Sequence, residues 1–261
     1  ALTLNSLLMY SDTTDESGYG MRFGMSYDPN KFWITGMAYY RFDDDLNIND
    51  MGYQTRNNLS NFRTFTMYTE NDFLTTSKIL ERTYKFAFSK NADTHGLQLS
   101  QNINLSFKQS FKDTSGFEIK VAHKSSGNND LLTRGSALAP FVKFGQGGNY
   151  SLMYYGKQDA CWSYWMYLSR DRQSLPSFTT TSNNIALGGY YYPSDNIKFG
   201  IHLGKYNTKN WLNWLEDNRL GTYPLDYFSF KANATWFPKE KHELRIKFQT
   251  NIMQTETGNE W

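Results

Sequence analysis

The sequence predicts an all-β fold, an antiparallel transmembrane β-barrel of about 14 strands with a range of roughly 12 to 16. The first reason is the alternation of apolar and polar residues over segments of about ten residues, longer than most strands of soluble proteins. The second is composition, because aromatic residues make up 17% of the chain although its mean hydropathy is −0.66. A wet interior, an apolar outer band and aromatic girdles account for both values.

The third reason is that no stretch approaches the roughly 18 continuous apolar residues of a membrane-spanning helix, so any crossing must be made by strands. The chain of 261 residues has no linker or low-complexity segment, which predicts one domain over residues 1–261. A soluble propeller or sandwich also has many alternating strands. Those folds do not require long segments with Phe, Leu and Ile facing one way throughout, so the barrel is favoured.

The N-terminal strands follow from the alternation. Residues 19–27 place large side chains at odd positions with glycine, arginine and serine between them, and the turn-forming residues 28–31 separate this strand from a second one at 32–42. Residues 43–58 predict a long polar loop, and a further strand follows at 62–69. The segments 80–89 and 97–107 alternate on either side of a turn at 90–95.

The remaining strands are predicted in the same way. Strands are expected at 117–121, 138–145, 149–157, 161–170, 185–191 and 197–203, with loops at 125–137, 171–182 and 207–223. The clearest pair lies at 227–252, where Phe228 to Trp236 and Leu244 to Ile252 alternate across a turn at 238–241. These loops do not sort into a short set at one edge and a long set at the other, which predicts that one strand is miscounted.

Polar side chains alternate with the outward apolar series and predict the lining of a lumen. They mix both signs of charge with amides, which fits a hydrated passage for polar solutes or an interior crosslinked by salt bridges. The predicted lining residues are Glu81, Lys85, Gln98, Asn102, Asn104, Glu118, Lys120, Lys198, Lys231, Arg245, Lys247 and Gln249.

Charge and cysteine content exclude several functions. A net charge of +2 with no basic run predicts no nucleic-acid partner. Cys161 is the sole cysteine, so an internal disulfide framework is excluded, and no His, Cys or acidic spacing predicts a metal or another cofactor. The acidic segment 43–52 begins like a calcium loop, but Asp50 stands where the EF-hand glycine belongs and Arg56 where the glutamate belongs.

His123 and Ser125 fall on the predicted outer face near a strand end. A histidine beside a serine on an outer wall resembles the site of outer-membrane phospholipase A, in which the histidine activates the serine and a third polar group orients the histidine. Asn128, Asn129 and Asp130 are candidates for the third group. The alternative is an interfacial histidine that leads into a Ser/Gly/Asn loop, and this alternative is favoured.

Two loop motifs resemble those of one uncharacterised bacterial family. The first contains Asn49, Asp50 and Gly52, and the second contains Thr133, Arg134 and Gly135, where Ser136 and Ala137 replace the expected Gly-Pro. Proteins of that family join an N-terminal module like family-nine carbohydrate-binding domains to a C-terminal outer-membrane barrel. The resemblance implies that this chain is the barrel, that the sugar-binding module lies outside it, and that both motifs are structural or gating elements.

The expected function is therefore a pore or translocation channel for polar solutes in the outer membrane of a Gram-negative bacterium, linked to carbohydrate handling. No catalytic residue is assigned, so an enzyme is not expected. The alternatives are an anchor or binding module for an exported domain or partner assembly, and a lipid hydrolase that uses His123 and Ser125. Membrane lipid, lipopolysaccharide and a partner or fused domain are the expected contacts. Since outer-membrane proteins need an export signal, the chain is expected to be part of a longer one.

Overall fold

The computed structural model describes residues 1–12, 17–46, 58–129, 141–156, 161–214, 220–239, 242–255 and 259–260. Its strands are β1 (Leu2–Asp12), β2 (Ser17–Asn30), β3 (Trp33–Phe42), β4 (Leu59–Glu70), β5 (Ile79–Ala92), β6 (Gln98–Phe111), β7 (Gly116–Lys124), β8 (Gly127–Asn129), β9 (Val142–Phe144), β10 (Gly147–Tyr155), β11 (Trp162–Ser174), β12 (Thr179–Ser194), β13 (Ile197–Trp214), β14 (Leu220–Lys239), β15 (His242–Thr255) and β16 (Asn259–Glu260). Within these ranges, no helix has the length and apolar character that a membrane span requires.

The strands form one antiparallel sheet in which each strand pairs with its neighbours along the chain. The order runs from β1 through β7, continues with β10 and ends at β15, while β16 adds a short pairing to β14. This up-and-down order is that of a membrane barrel, and the predicted all-β fold class is confirmed. β1 and β15 are the two ends of the order, and no described ladder joins them.

Several predicted boundaries were wrong. Residues 127–129 of the predicted loop 125–137 form the short strand β8. In the predicted strand 138–145, the described part is strand only at β9, which pairs with β8 outside the main sheet. In the predicted loop 171–182, only residues 175–178 lie outside strands. In the predicted loop 207–223, residues 207–214 and 220–223 belong to strands. Strands end where their backbone hydrogen bonds end, and here they continue past the apolar alternation into Ser, Thr and Asn residues that still pair.

The connections now sort onto two edges of the sheet. At one edge β2–β3, β6–β7, β12–β13 and β14–β15 are joined by two to four residues each, and this is called the short-turn edge. The connections 71–78 and 156–161 also lie at this edge. At the other edge, the long-loop edge, lie the two longest connections, 43–58 and 125–146, together with the shorter connections 13–16, 93–97, 175–178 and 215–219. Short turns at one edge and long loops at the other are typical of outer-membrane barrels. The sequence could not sort the loops because it counted the segment 138–145 as a strand of the main sheet. That extra strand moved every later loop to the opposite edge.

The short turns are closed by side chains that accept hydrogen bonds from the backbone. Asn30 Oδ1 accepts from the amides of Phe32, at 2.9 Å, and Trp33, at 3.1 Å, in the turn between β2 and β3. Asp113 Oδ1 accepts from the Ser115 amide at 3.1 Å between β6 and β7. Asn and Asp favour turns because their short side chains satisfy the amides that the strands leave unpaired.

The strands are staggered relative to one another. A row of directly paired residues starts at Tyr27, at the short-turn end of β2, and crosses the middle of the sheet at Phe86. The same row reaches Asp226 and Gln254 at the long-loop ends of β14 and β15. Such a shift across the sheet accompanies the strand tilt that a barrel requires.

The outer face is apolar and exposed. The protein has 17178 Å² of accessible surface, whereas a compact protein of 30.4 kDa exposes roughly 12,000 Å². The larger area fits a single-layer sheet with both faces accessible. Large side chains such as Ile201, Leu105 and Ile246 are 52%, 52% and 67% exposed on this face. A soluble monomer rarely exposes so continuous an apolar surface, whereas lipid covers it in a membrane barrel.

Aromatic side chains follow one another across the outer face near the short-turn edge. Trp33 contacts Tyr68 with ring centroids 4.8 Å apart, and Tyr68 contacts Tyr84 at 6.2 Å. Tyr84 contacts Phe107 at 5.0 Å, and Phe107 contacts Phe117 at 5.7 Å. The five rings come from the successive strands β3 to β7. This arrangement has the form of an aromatic girdle at a membrane–water interface.

Candidate functional site: the inner face of the sheet

The strand register places the predicted lining residues on one face of the sheet, opposite the apolar face. For example, one paired row links Glu81 on β5 to His202, Lys231 and Gln249 on β13 to β15. Apart from Gln98, the other lining residues share the parity of this row along their strands. A β-bulge between the pairs Lys90–Gln101 and Ala92–Gln98 turns Gln98 to the side of the outer face, so its assignment to the lining was wrong. The role of the lining residues in a lumen remains a prediction, but the sequence otherwise separated the two faces correctly.

Several aromatic side chains of this inner face lie flat against glycine residues. A Cβ on Gly188 would lie 2.6 Å from the Trp165 ring, and a Cβ on Gly200 would lie 2.8 Å from the Tyr190 ring. The absence of a side chain at the glycine therefore lets each ring pack against the wall. Rings that lie on the wall leave space above the inner face for water or a solute.

Carboxylates of the inner face are paired in the middle of the sheet. Glu118 forms an ion pair with Lys120 at 3.0 Å, and Asp171 forms one with Lys124 at 3.7 Å. These pairs are partly exposed, so each contributes little to stability, on the order of 0–1 kcal/mol. Their electrostatic effect is to neutralise the negative charge of the wall at these strands.

A cluster of basic residues on β13 to β15 is called the basic patch and consists of Lys198, Lys231, Arg245 and Lys247. Three adjacent paired rows form a grid of inner-face positions: Lys198–Thr235–Arg245, Gly200–Asn233–Lys247 and His202–Lys231–Gln249. Asn233 occupies the centre of this grid, and the four cations surround it. A cavity of about 410 Å³ lies over the patch, and its described lining contains no carboxylate.

Two members of the basic patch have local partners. Lys198 Nζ lies 3.8 Å from the centroid of the Tyr190 ring, which orients the ammonium group by a cation–π contact. Arg245 forms an ion pair with Glu243, the next inner-face residue along β15. For Lys231 and Lys247, the described part of the chain provides no carboxylate within 4 Å.

A second group of cations lies on the inner face of β2 to β5. Arg63 lies 4.3 Å above the Tyr40 ring, Arg22 lies 5.4 Å from the same ring, and Lys85 lies 5.6 Å from the Phe65 ring. They line a cavity of about 530 Å³ in which the described lining again has no carboxylate. Like the cavity over the basic patch, this cavity is therefore cationic among its described lining residues.

The segment that follows β3 packs on the inner face of β2. Leu46 is fully buried, and a Cβ on Gly18 or Gly20 would overlap its backbone or side chain. Thr94 Oγ1 donates to Asp44 Oδ1 at 2.7 Å and ties the segment to the β5–β6 turn. This segment narrows the space at the long-loop edge. Sequence analysis assigned it to a polar loop and missed the apolar anchor.

The Ser125 hydroxyl, the candidate partner of His123, forms hydrogen bonds with the backbone. Ser125 Oγ donates to the Ser126 carbonyl at 2.9 Å and accepts from the Gln101 amide at 3.0 Å. Its hydroxyl therefore stabilises the strand end, and no hydrogen bond between Ser125 and His123 is present among the described contacts. The same residues show no group of three or more His, Cys, Asp or Glu suited to a metal ion.

The two loop motifs, with Asn49, Asp50 and Gly52 in one and Thr133, Arg134 and Gly135 in the other, lie outside the described residues. The connections that contain them both join strands at the long-loop edge. The gating or structural role that the family resemblance implies for them therefore stays a prediction.

Some inner-face residues around the basic patch were absent from the predicted lining. Asn233, Thr235, Tyr190 and His202 share the inner face with the predicted lysines, and simple alternation along β12, β13 and β14 was sufficient to find them. Their grouping with Arg245 and Lys247 was not readable from the sequence, because it depends on which strands pair and in which register.

Comparison with known proteins gives little further information. No family model matches the chain, and no curated protein matches it significantly. A solved structure with detectable similarity is OmpTΔL8, a loop L8 deletion mutant of OmpT, an outer membrane protein of Vibrio cholerae. The alignment covers 100% of both chains with 10% sequence identity and a TM-score of 0.35. The fold assignment therefore rests on strand order, sidedness and the two contrasting faces.

Proposed function

We propose that this protein is a pore for polar solutes in the outer membrane of a Gram-negative bacterium. The observation that carries the proposal is the cationic lining of the inner-face cavities, because cations without a carboxylate partner, such as Lys231 and Lys247, require water or a solute above them. An interior crosslinked by salt bridges would instead pair its charges across the sheet. The apolar outer face and its aromatic girdle support insertion into lipid, including contacts with lipopolysaccharide.

The proposed link to carbohydrate handling rests on the family resemblance of the two loop motifs. Inner-face rings such as Trp165 and Tyr190 support it, because flat aromatic surfaces beside hydrogen-bonding groups suit the apolar faces of sugar rings. This link is narrower than the pore proposal, and a pore for other polar solutes would have the same architecture.

Purified protein reconstituted in a planar lipid bilayer is expected to give stable, uniform current steps, because a hydrated lumen conducts salt. Single-channel recording at several salt concentrations measures the conductance, and heat-unfolded protein at the same detergent concentration is the control. A silent bilayer, after protease protection has confirmed insertion, would contradict the pore.

The second candidate function is an anchor that holds an exported domain or partner protein. The observation that favours it is the Leu46 segment, which narrows the space at the long-loop edge and is tied to neighbouring strands. An anchor predicts that protein extracted from its native membrane exceeds 30.4 kDa or carries a bound partner. Native mass spectrometry distinguishes this outcome from a conducting chain without a partner.

A further inference from the structure

We propose that the basic patch binds small polyanions, meaning solutes that carry two or more phosphate, sulfate or carboxylate groups. This inference deepens the proposed pore by assigning it a class of solute, and it rests on that function only for the transport step. The binding site itself is built from residues of β13 to β15 and is testable on protein that does not conduct.

The cations of the basic patch are spaced so that one ligand can reach several of them. Arg245 and Lys247 are two residues apart on one strand, so both point to the inner face. Lys231 and Lys247 are diagonal neighbours across β14 and β15, a relationship that places two residues roughly 7–8 Å apart and their Cβ atoms somewhat closer. Lys198 occupies the same row as Arg245, on the other side of Thr235. A ligand with several anionic groups can therefore contact more than one cation at once.

The charges of the basic patch are also unbalanced. Glu243 is the nearest inner-face carboxylate on these strands, and Arg245 already pairs with it. Like charges on neighbouring strands repel one another, and a sheet normally avoids them on directly adjacent positions. Lys231 and Lys247 are diagonal rather than directly opposite, so their ammonium groups repel each other over a longer distance, and neither has a described carboxylate partner. A bound polyanion would relieve the repulsion, which makes binding favourable.

Side chains between the cations also have hydrogen-bonding capacity. Asn233 and Gln249 present side-chain amides inside the grid, and an amide can donate to an oxyanion or to a neutral hydroxyl. A cavity of about 410 Å³ lies over these groups, which falls within the typical range for small-molecule sites, about 300–1,000 Å³. The site thus combines charge, directional donors and sufficient volume.

Binding is tested with tripolyphosphate and folded protein in detergent micelles by isothermal titration calorimetry at low salt. The unmodified protein is expected to bind, and Lys231→Gln/Lys247→Gln is expected to weaken binding at least tenfold, because two of the four cations are lost. The control is Lys31→Gln/Lys112→Gln, which removes the same charge from exposed positions at the short-turn edge and should leave binding unchanged.

Selectivity is tested by the reversal potential in a potassium chloride gradient. The unmodified channel is expected to prefer chloride over potassium. The patch variant, Lys231→Gln/Lys247→Gln, should lose most of that preference, and the control variant, Lys31→Gln/Lys112→Gln, should keep it. Circular dichroism and resistance to unfolding in detergent verify that each variant is folded.

The outcomes separate the two proposals. A silent bilayer combined with tripolyphosphate binding that the patch variant loses would support the site and overturn the pore. Conductance without anion preference, combined with no binding or with equal binding by the patch variant, would overturn the site and leave the pore in place.

Discussion

Leu152→Arg is expected to destabilise the membrane-inserted protein by about 2–4 kcal/mol, the cost of an arginine on the lipid face of a barrel near the bilayer midplane. Leu152 belongs to the outer face of β10, between Ile119 on β7 and Leu168 on β11. An arginine there would lie among apolar neighbours and lipid. Equilibrium unfolding in urea with protein inserted in lipid vesicles measures the change in the free energy of unfolding.

The matched control is Asn149→Arg on the same strand. Asn149 lies three residues earlier, on the inner face, where Asp171 is its direct neighbour. An arginine at this position meets water and a carboxylate, so the expected change is within roughly 0.5 kcal/mol. Equal destabilisation by both variants would show that the two faces of β10 have the same surroundings, and the assignment of an outer lipid face would then be wrong.

Leu46→Ala is expected to remove about 2–5 kcal/mol of local stability, as usual when a fully buried leucine is truncated. The loss should release the Leu46 segment from Gly18 and Gly20 without unfolding the sheet, because the strands keep their own ladders. Hydrogen exchange of the Asp43 amide, which donates to the Tyr19 carbonyl at 2.9 Å, reports the release. Its exchange should accelerate by about thirtyfold or more, since each 1.4 kcal/mol corresponds to roughly a factor of ten.

Leu74→Ala is the control for this substitution, because Leu74 is 80% exposed in the connection between β4 and β5. Its truncation should change neither the exchange of the Asp43 amide nor the overall stability by more than roughly 0.5 kcal/mol. If Leu46→Ala leaves the exchange rate unchanged, the Leu46 side chain is not the anchor of the segment. If the protein conducts, release of the Leu46 segment should also raise the single-channel conductance, because this segment narrows the space above the inner face at the long-loop edge.

The basic patch shows why a mixed-sign composition is a poor guide to the sign of a surface. The predicted lining contained carboxylates such as Glu118 as well as lysines, which suggested a balanced interior. In the structure Glu118 pairs with Lys120 on its own strand, whereas Lys231 and Lys247 face a cavity without a described carboxylate. The net charge of the chain therefore understates the positive electrostatic field at the basic patch, because that field depends on which charged residues lie together.

The sequence by itself determined the fold class and the two faces of each strand. Successive side chains of a strand point in opposite directions, so Leu244, Ile246 and Phe248 identify one face and Arg245 and Lys247 the other without knowledge of any neighbour. Tertiary structure alone decided the strand ends, the place of residues 142–144 outside the main sheet and the assembly of the patch. These features depend on hydrogen bonds between segments distant along the chain, and local alternation carries no information about that pairing.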